Sequence, residues 1–177
     1  MPTSIFMNSV VATLAAAGVA VTSLVGINPG PAYDNDELTK LSKTEASIHA
    51  DQVFFRADQD GDNALSVDEF AALNIVTAEL ANLNGFVVVE KTNSYETISL
   101  PDRTSAALSP AEHARIDAVS RHTFYAYAGE DGKMQHGEYK GLQEAIFLSS
   151  DLNANGALTR AELALFAQRQ AFLRPEA

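Results

Sequence analysis

The sequence predicts a mainly α-helical protein built of helix-loop-helix units, with one β-hairpin inserted among them. Three observations carry that expectation. Apolar residues recur three and four positions apart in several stretches, the period of a helix with one buried face. Four stretches open on a serine or threonine with a glutamate three residues later, the spacing of a capping box: Ser42 and Glu45, Ser66 and Glu69, Ser109 and Glu112, Thr159 and Glu162. Residues 86–100, FVVVEKTNSYETISL, break the period with β-branched and aromatic residues on either side of a polar turn.

The first 33 residues carry no charged side chain. Within them Val10 to Val25 is rich in Ala and Val; as a helix it would reach about 24 Å, short of the roughly 30 Å hydrocarbon core of a bilayer. That length suits the apolar region of an export signal, and Gly30 and Ala32 suit a cleavage site before Tyr33. The amino-terminal side lacks Lys and Arg, so a retained membrane anchor over residues 5–27 and a buried core helix stay open as alternatives. The expected division is a signal peptide or anchor at 1–32 and a single domain at 33–177. The domain would then be exported, periplasmic or extracellular, or held outside the cytoplasm by the anchor.

From Asp36 the pattern turns helical, with Ile48, Val53, Phe54 and Phe55 as its apolar side, and stops at Asp58. Phe70, Leu73, Val76, Leu80 and Leu83 form the stripe of the next helix, which ends at Asn84 and Gly85. The hairpin belongs to an insertion spanning 84–108. Ser109 as N-cap, Pro110 at the first helical position and Glu112 open a helix that runs to about Tyr127. Residues 139–150 and 161–172 supply two short helices. Phe54, Phe55, Phe70, Phe124, Phe147 and Phe166 read as core side chains, not as a cofactor box.

Composition excludes several classes of function. The formal net charge is −11, with 23 acidic against 12 basic residues, so nucleic acid and anionic lipid surfaces are repelled and cations are the natural partners. The absence of cysteine excludes disulfides, thiolate metal sites and a cysteine nucleophile. His49, His113, His122 and His136 lack zinc-site spacing. No nucleophile elbow, phosphate-binding loop or dinucleotide fingerprint occurs, so the chain is expected not to be an enzyme.

Residues 58–69, DQDGDNALSVDE, place Asp58, Asp60, Asp62 and Glu69 in one short loop, where their mutual repulsion calls for a cation. Residues 151–162, DLNANGALTRAE, fit the pattern D-x-[DN]-x-[DN]-G-x5-E without a mismatch. A solvated acidic turn is the bland alternative for one run of alternating acids; two matches at the same positions are hard to reach by coincidence.

Both stretches resemble the EF-hand calcium-binding loop, and the resemblance extends over the flanking helices. It implies calcium held by side-chain oxygens at positions one, three and five: Asp58, Asp60 and Asp62 in one loop, Asp151, Asn153 and Asn155 in the other. Ala64 and Ala157 would give main-chain carbonyls at position seven, Ser66 and Thr159 occupy position nine, and Glu69 and Glu162 would be bidentate at twelve. Leu65 and Leu158, at position eight, would bridge to a partner loop. Asn63 stands where Gly156 supplies the turn. Four formal charges at the ligand positions against two rank the first loop tighter at equal geometry.

A third loop, 127–138, aligns on Glu138, Gly132 and Met134 but has Tyr127 and Gly129 at positions one and three, so it resembles a degenerate hand without calcium. It shares one helix with the 151–162 loop, and loops at opposite ends of a helix cannot pair. The expectation is that 58–69 pairs with 127–138, leaving 151–162 to an odd partner such as another subunit in a homodimer. Direct pairing of the two intact loops is the rival. Only three methionines occur, two of them in the leader, which disfavours a promiscuous sensor. The resemblance thus implies a calcium-binding, non-enzymatic protein with a structural, buffering or partner-binding role. The alternative is an accessory calcium-binding subunit of a membrane protein complex, docking through 84–108.

Overall fold

The computed structural model describes residues 37–92, 94–100 and 106–172. The leader at 1–32, and with it the choice between signal and anchor, lies outside them. Five helices and three two-stranded pairs make up the described chain, in the order β1 (Lys40–Ser42), α1 (Lys43–Ala57), β2 (Ala64–Leu65), α2 (Val67–Asn84), β3 (Phe86–Glu90), β4 (Tyr95–Ser99), α3 (Pro110–Tyr127), β5 (Met134–Gln135), α4 (His136–Ser150), β6 (Ala157–Thr159) and α5 (Ala161–Gln170). The architecture is mainly α, as expected. No helix among the described residues is long and apolar enough to cross a membrane.

Capping explains where the helices begin. Ser42, Ser66 and Ser109 are extended N-caps, and each accepts from the N–H of a glutamate that reaches back to the serine backbone. Gly85 ends α2 in the left-handed conformation at φ 73°, donating its N–H to the Ala81 carbonyl. At Thr159 the box is only half made: Glu162 accepts from the Thr159 N–H at 3.1 Å, but α5 starts after Arg160, whose φ is 48°.

Helices α1 and α4 pack antiparallel, with Lys43 on Glu144 at one end and Asp51 on His136 and Lys140 at the other. Helices α2 and α3 do the same, tied by Asp68 with Arg121 and by Glu79 with His113. Two antiparallel bridges hold the loops together. Leu65 faces Met134, joining 58–69 to 127–138 as the spacing predicts, and Leu41 faces Leu158. All four side chains are fully buried. The odd partner of 151–162 is therefore β1 of the same chain, not a second subunit.

That second bridge exposes a repeat. Leu41 and Met134 lie 93 residues apart, and so do Glu45 and Glu138, Phe54 and Phe147, Asp58 and Asp151, and Glu69 and Glu162. Each bridge joins the first loop of one copy to the second loop of the other. A core sits under each bridge: Phe54, Phe70, Phe124 and Tyr139 under one, Phe147, Phe166, Ile116 and the hairpin under the other.

The hairpin forms where residues 86–100 predict it, with Val87 opposite Ile98 and Val89 opposite Glu96; Asn93 of its turn lies outside the described residues. Val87, Val89 and Ile98 are buried, roughly 2 kcal/mol of transfer free energy for a fully covered side chain of that size. The Glu90 N–H donates to His49 Nδ1 at 3.1 Å and its carboxylate pairs with Arg56, which anchors the hairpin on α1.

Three expectations are corrected. Residues 40–42 are strand, because Leu41 is needed in the bridge before Ser42 caps the helix. Helix α4 starts at His136, three residues earlier than its apolar pattern suggests, because Glu138 completes a turn with Gln135. The buried faces of α1 and α2 are Ala46, His49, Ala50, Phe54 and Ala57, and Phe70, Ala71, Asn74, Ala78, Glu79 and Ala81, while Phe55 and Leu80 are exposed.

Candidate metal centre

The 58–69 loop runs from the end of α1 through β2 to the first turn of α2, so the bridge at Leu65 and the cap at Ser66 fix both of its ends. Asp58 folds inward and accepts the Gly61 N–H at 2.9 Å on one oxygen and the Asn63 N–H at 3.0 Å on the other. Asp60 accepts from the Asp62 N–H at 3.1 Å, and Asp62 from the Ala64 N–H at 2.9 Å. Asn63 takes the left-handed conformation, φ 66°, as its place in the loop requires. Glu69 returns across the loop: one oxygen accepts the Gln59 N–H at 2.9 Å, the other the Ser66 N–H at 2.8 Å and hydroxyl at 2.7 Å.

The result is a convergence of charge. Asp58, Asp60 and Glu69 each offer a carboxylate oxygen, all within 4.8 Å of one another. Oxygens on a sphere of about 2.4 Å radius can be no more than about 4.8 Å apart, so the spacing of the three is of the size that one shell around a hard cation requires. Burial works to raise the Glu69 pKa, but the Ser66 and Gln59 donors outweigh it and hold the carboxyl below its ordinary value. Asp62 does not join the trio. Its second oxygen pairs with the Lys133 ammonium, which with the Ala64 N–H lowers the Asp62 pKa and is itself raised. Ala64 lies in β2, and Ser66 spends its hydroxyl on the Glu69 carboxylate and N–H.

The 151–162 loop repeats the same skeleton. Asp151 accepts the Gly156 N–H at 2.8 Å and the Asn155 N–H at 3.1 Å, Asn155 accepts the Ala157 N–H at 2.8 Å, and Gly156 has φ 78°. Glu162 accepts from the Asn153 amide at 2.6 Å and from Thr159. Asp151 and Glu162 are buried, so this loop carries fewer charges in a drier place.

The 127–138 loop keeps the frame and lacks the ligands. Gly132 has φ 70°, Asp131 accepts the Lys133 N–H at 3.0 Å, and Glu138 accepts the Gln135 N–H at 2.7 Å. At position three a side chain on Gly129 would put its Cβ 2.9 Å from Glu138 Oε1, so the glutamate fills the space a ligand would need. A fourth frame was missed in the sequence. Aligning Glu45 with Glu69 places Leu41 at position eight, Asp34 at one and Asp36 at three, the last two outside the described residues. The signal was the repeated string Leu-Ser-x-x-Glu at 41–45 and 65–69. Here Leu38, buried, takes position five, and Glu45 is bound by Ser42 and by Lys91 at 3.1 Å. The Ser42 N–H is the largest cause that pushes the Glu45 pKa down to about 2. Lys133 gave no sequence signal at all, because its contact with Asp62 spans two distant loops. No protein-family model, curated protein or solved structure matches the chain.

Proposed function

We propose that the chain is a calcium-binding protein of EF-hand type that takes two ions, one in 58–69 and one in 151–162. The observation that carries the reading is the approach of Asp58, Asp60 and Glu69 oxygens to within 4.8 Å of one another, on a loop skeleton that 151–162 reproduces at positions five, six, nine and twelve. The donor set is all oxygen, without sulfur or imidazole, which suits a hard divalent ion of flexible coordination number. Asp58, Asp60, Asp62 and Glu69, with the Ala64 carbonyl and Ser66, would hold the first ion. Asp151, Asn153, Asn155, Glu162, the Ala157 carbonyl and Thr159 would hold the second.

The role favoured is structural, buffering or partner-specific. A sensor opens a methionine-rich groove, whereas Met134, the single described methionine, is locked in the bridge opposite Leu65. The reading assigns no catalysis. It places the domain outside the cytoplasm, with residues 1–32 removed or retained as an anchor; intact mass of the native protein distinguishes a chain starting at Tyr33 from one starting at Met1. In the alternative, an accessory subunit of a membrane complex, docking would use the outer face of the hairpin, since Val87, Val89 and Ile98 are spent on the chain's own core.

Isothermal titration with calcium chloride tests the central claim. Two ions are expected for the natural chain, one for Glu69→Gln, one for Glu162→Gln and two for Glu138→Gln. Calcium at a hundredfold excess over the dissociation constant should add about 2.7 kcal/mol of stability per site. No uptake and no gain in melting temperature at millimolar calcium would refute the reading.

A further inference from the structure

We propose that Lys133 is a resident counter-ion of the 58–69 loop: its ammonium holds the Asp62 carboxylate until a divalent ion displaces it, and this exchange sets the loop's affinity. The inference rests on the calcium reading above and goes further by naming what the ion competes with.

Four observations support it. Among the acids at the ligand positions of the loop, Asp62 is the one that stands apart from the trio of Asp58, Asp60 and Glu69, and it is the one that Lys133 contacts. The two Asp62 oxygens are divided, Oδ1 accepting the Ala64 N–H and Oδ2 the ammonium, so the oxygen free to serve as a ligand is the one the lysine occupies. Lys133 does not arrive by chance. Its own N–H is held by Asp131 at 3.0 Å, and the next residue, Met134, is fixed opposite Leu65 in the bridge. The ammonium also lies within the field of Asp60 and Glu69, so it offsets those two carboxylates as well as Asp62.

The repeat supplies an internal comparison. The 93-residue offset places Lys40 on Lys133 and Asp62 on Asn155. The 34–45 and 127–138 frames thus both carry a lysine at position seven, but only Lys133 meets an acid at position five of the loop opposite. The degenerate loop lends its cation to the intact one.

The test isolates the first loop by working in a Glu162→Gln background and titrating with calcium chloride at low salt. A doubly charged ion some 6 Å from an exposed ammonium is opposed by roughly a factor of ten in affinity. Lys133→Gln should therefore bind calcium roughly tenfold more tightly than the background chain, Lys133→Arg should bind like it, and Lys40→Gln, with the same change in net charge, should leave the first loop unchanged. Unchanged or weaker binding by Lys133→Gln overturns the proposal alone, as does an equal gain for Lys40→Gln. No calcium uptake by either the background chain or Lys133→Gln overturns the calcium reading itself.

Discussion

Replacing His49 with glutamine should flatten the acid sensitivity of the fold. His49 is buried against the hairpin, where its neutral Nδ1 accepts the Glu90 N–H, and burial lowers its pKa from 6.5 to about 4. In the folded chain the ring takes up a proton only near pH 4, whereas in the unfolded chain it does so near 6.5. Between those values the unfolded state binds more protons, so stability is full above 6.5 and is lost as the pH falls toward 4. At about 1.36 kcal/mol per pH unit, the loss on going from pH 7.5 to 5 is about 2 kcal/mol. Glu45 shifts the same way in a lower window, from 4.5 to about 2, and adds little to the change between pH 7.5 and 5. Glutamine keeps an acceptor for the Glu90 N–H and does not titrate. Urea unfolding in the presence of a chelator, at pH 7.5 and 5, should show the natural chain losing about 2 kcal/mol more than His49→Gln. Equal losses would show that the ring is already charged, or already solvated, and would refute the assigned burial.

Two further changes probe the loops. Leu41→Ala empties a fully buried position in the β1–β6 bridge and should cost about 2–5 kcal/mol, read from the urea midpoint, while weakening calcium at 151–162 more than at 58–69; a loss below about 1 kcal/mol would mean that the bridge does not carry the second loop. Asn63→Gly relieves a left-handed side-chain residue and should raise stability by about 0.5 kcal/mol without changing ion stoichiometry, so a destabilised variant would count against the turn described at Asn63.

Much of the site was legible because its geometry is local. Alternating side chains, the turn at position six and the cap at position twelve all act within one short loop, and a string of residues records them. The helix starts were legible for the same reason, since Ser42, Ser66 and Ser109 bond to glutamates three residues on. What escaped depends on distant contact. Ala78 and Ala81 look like neutral filler until they are seen buried in the core beneath the hairpin, and Leu80 looks like core until it is seen in solvent. Leu41 reads as the lead into a helix until Leu158 stands opposite it. Lys133 and Lys91 are two more surface lysines in the sequence, and only the fold brings them to Asp62 and Glu45.

The crossed bridges have a consequence for how the chain can be divided. Every loop pairing and both antiparallel helix packings run from the segment before residue 101 to the segment after 105. A protease that cuts the link between β4 and α3 would sever one covalent bond and none of these contacts, so the nicked fragments should co-elute as a complex. Expressed separately, each fragment would lack the other strand of both bridges, and mixing them should restore helicity in an association whose rate depends on concentration.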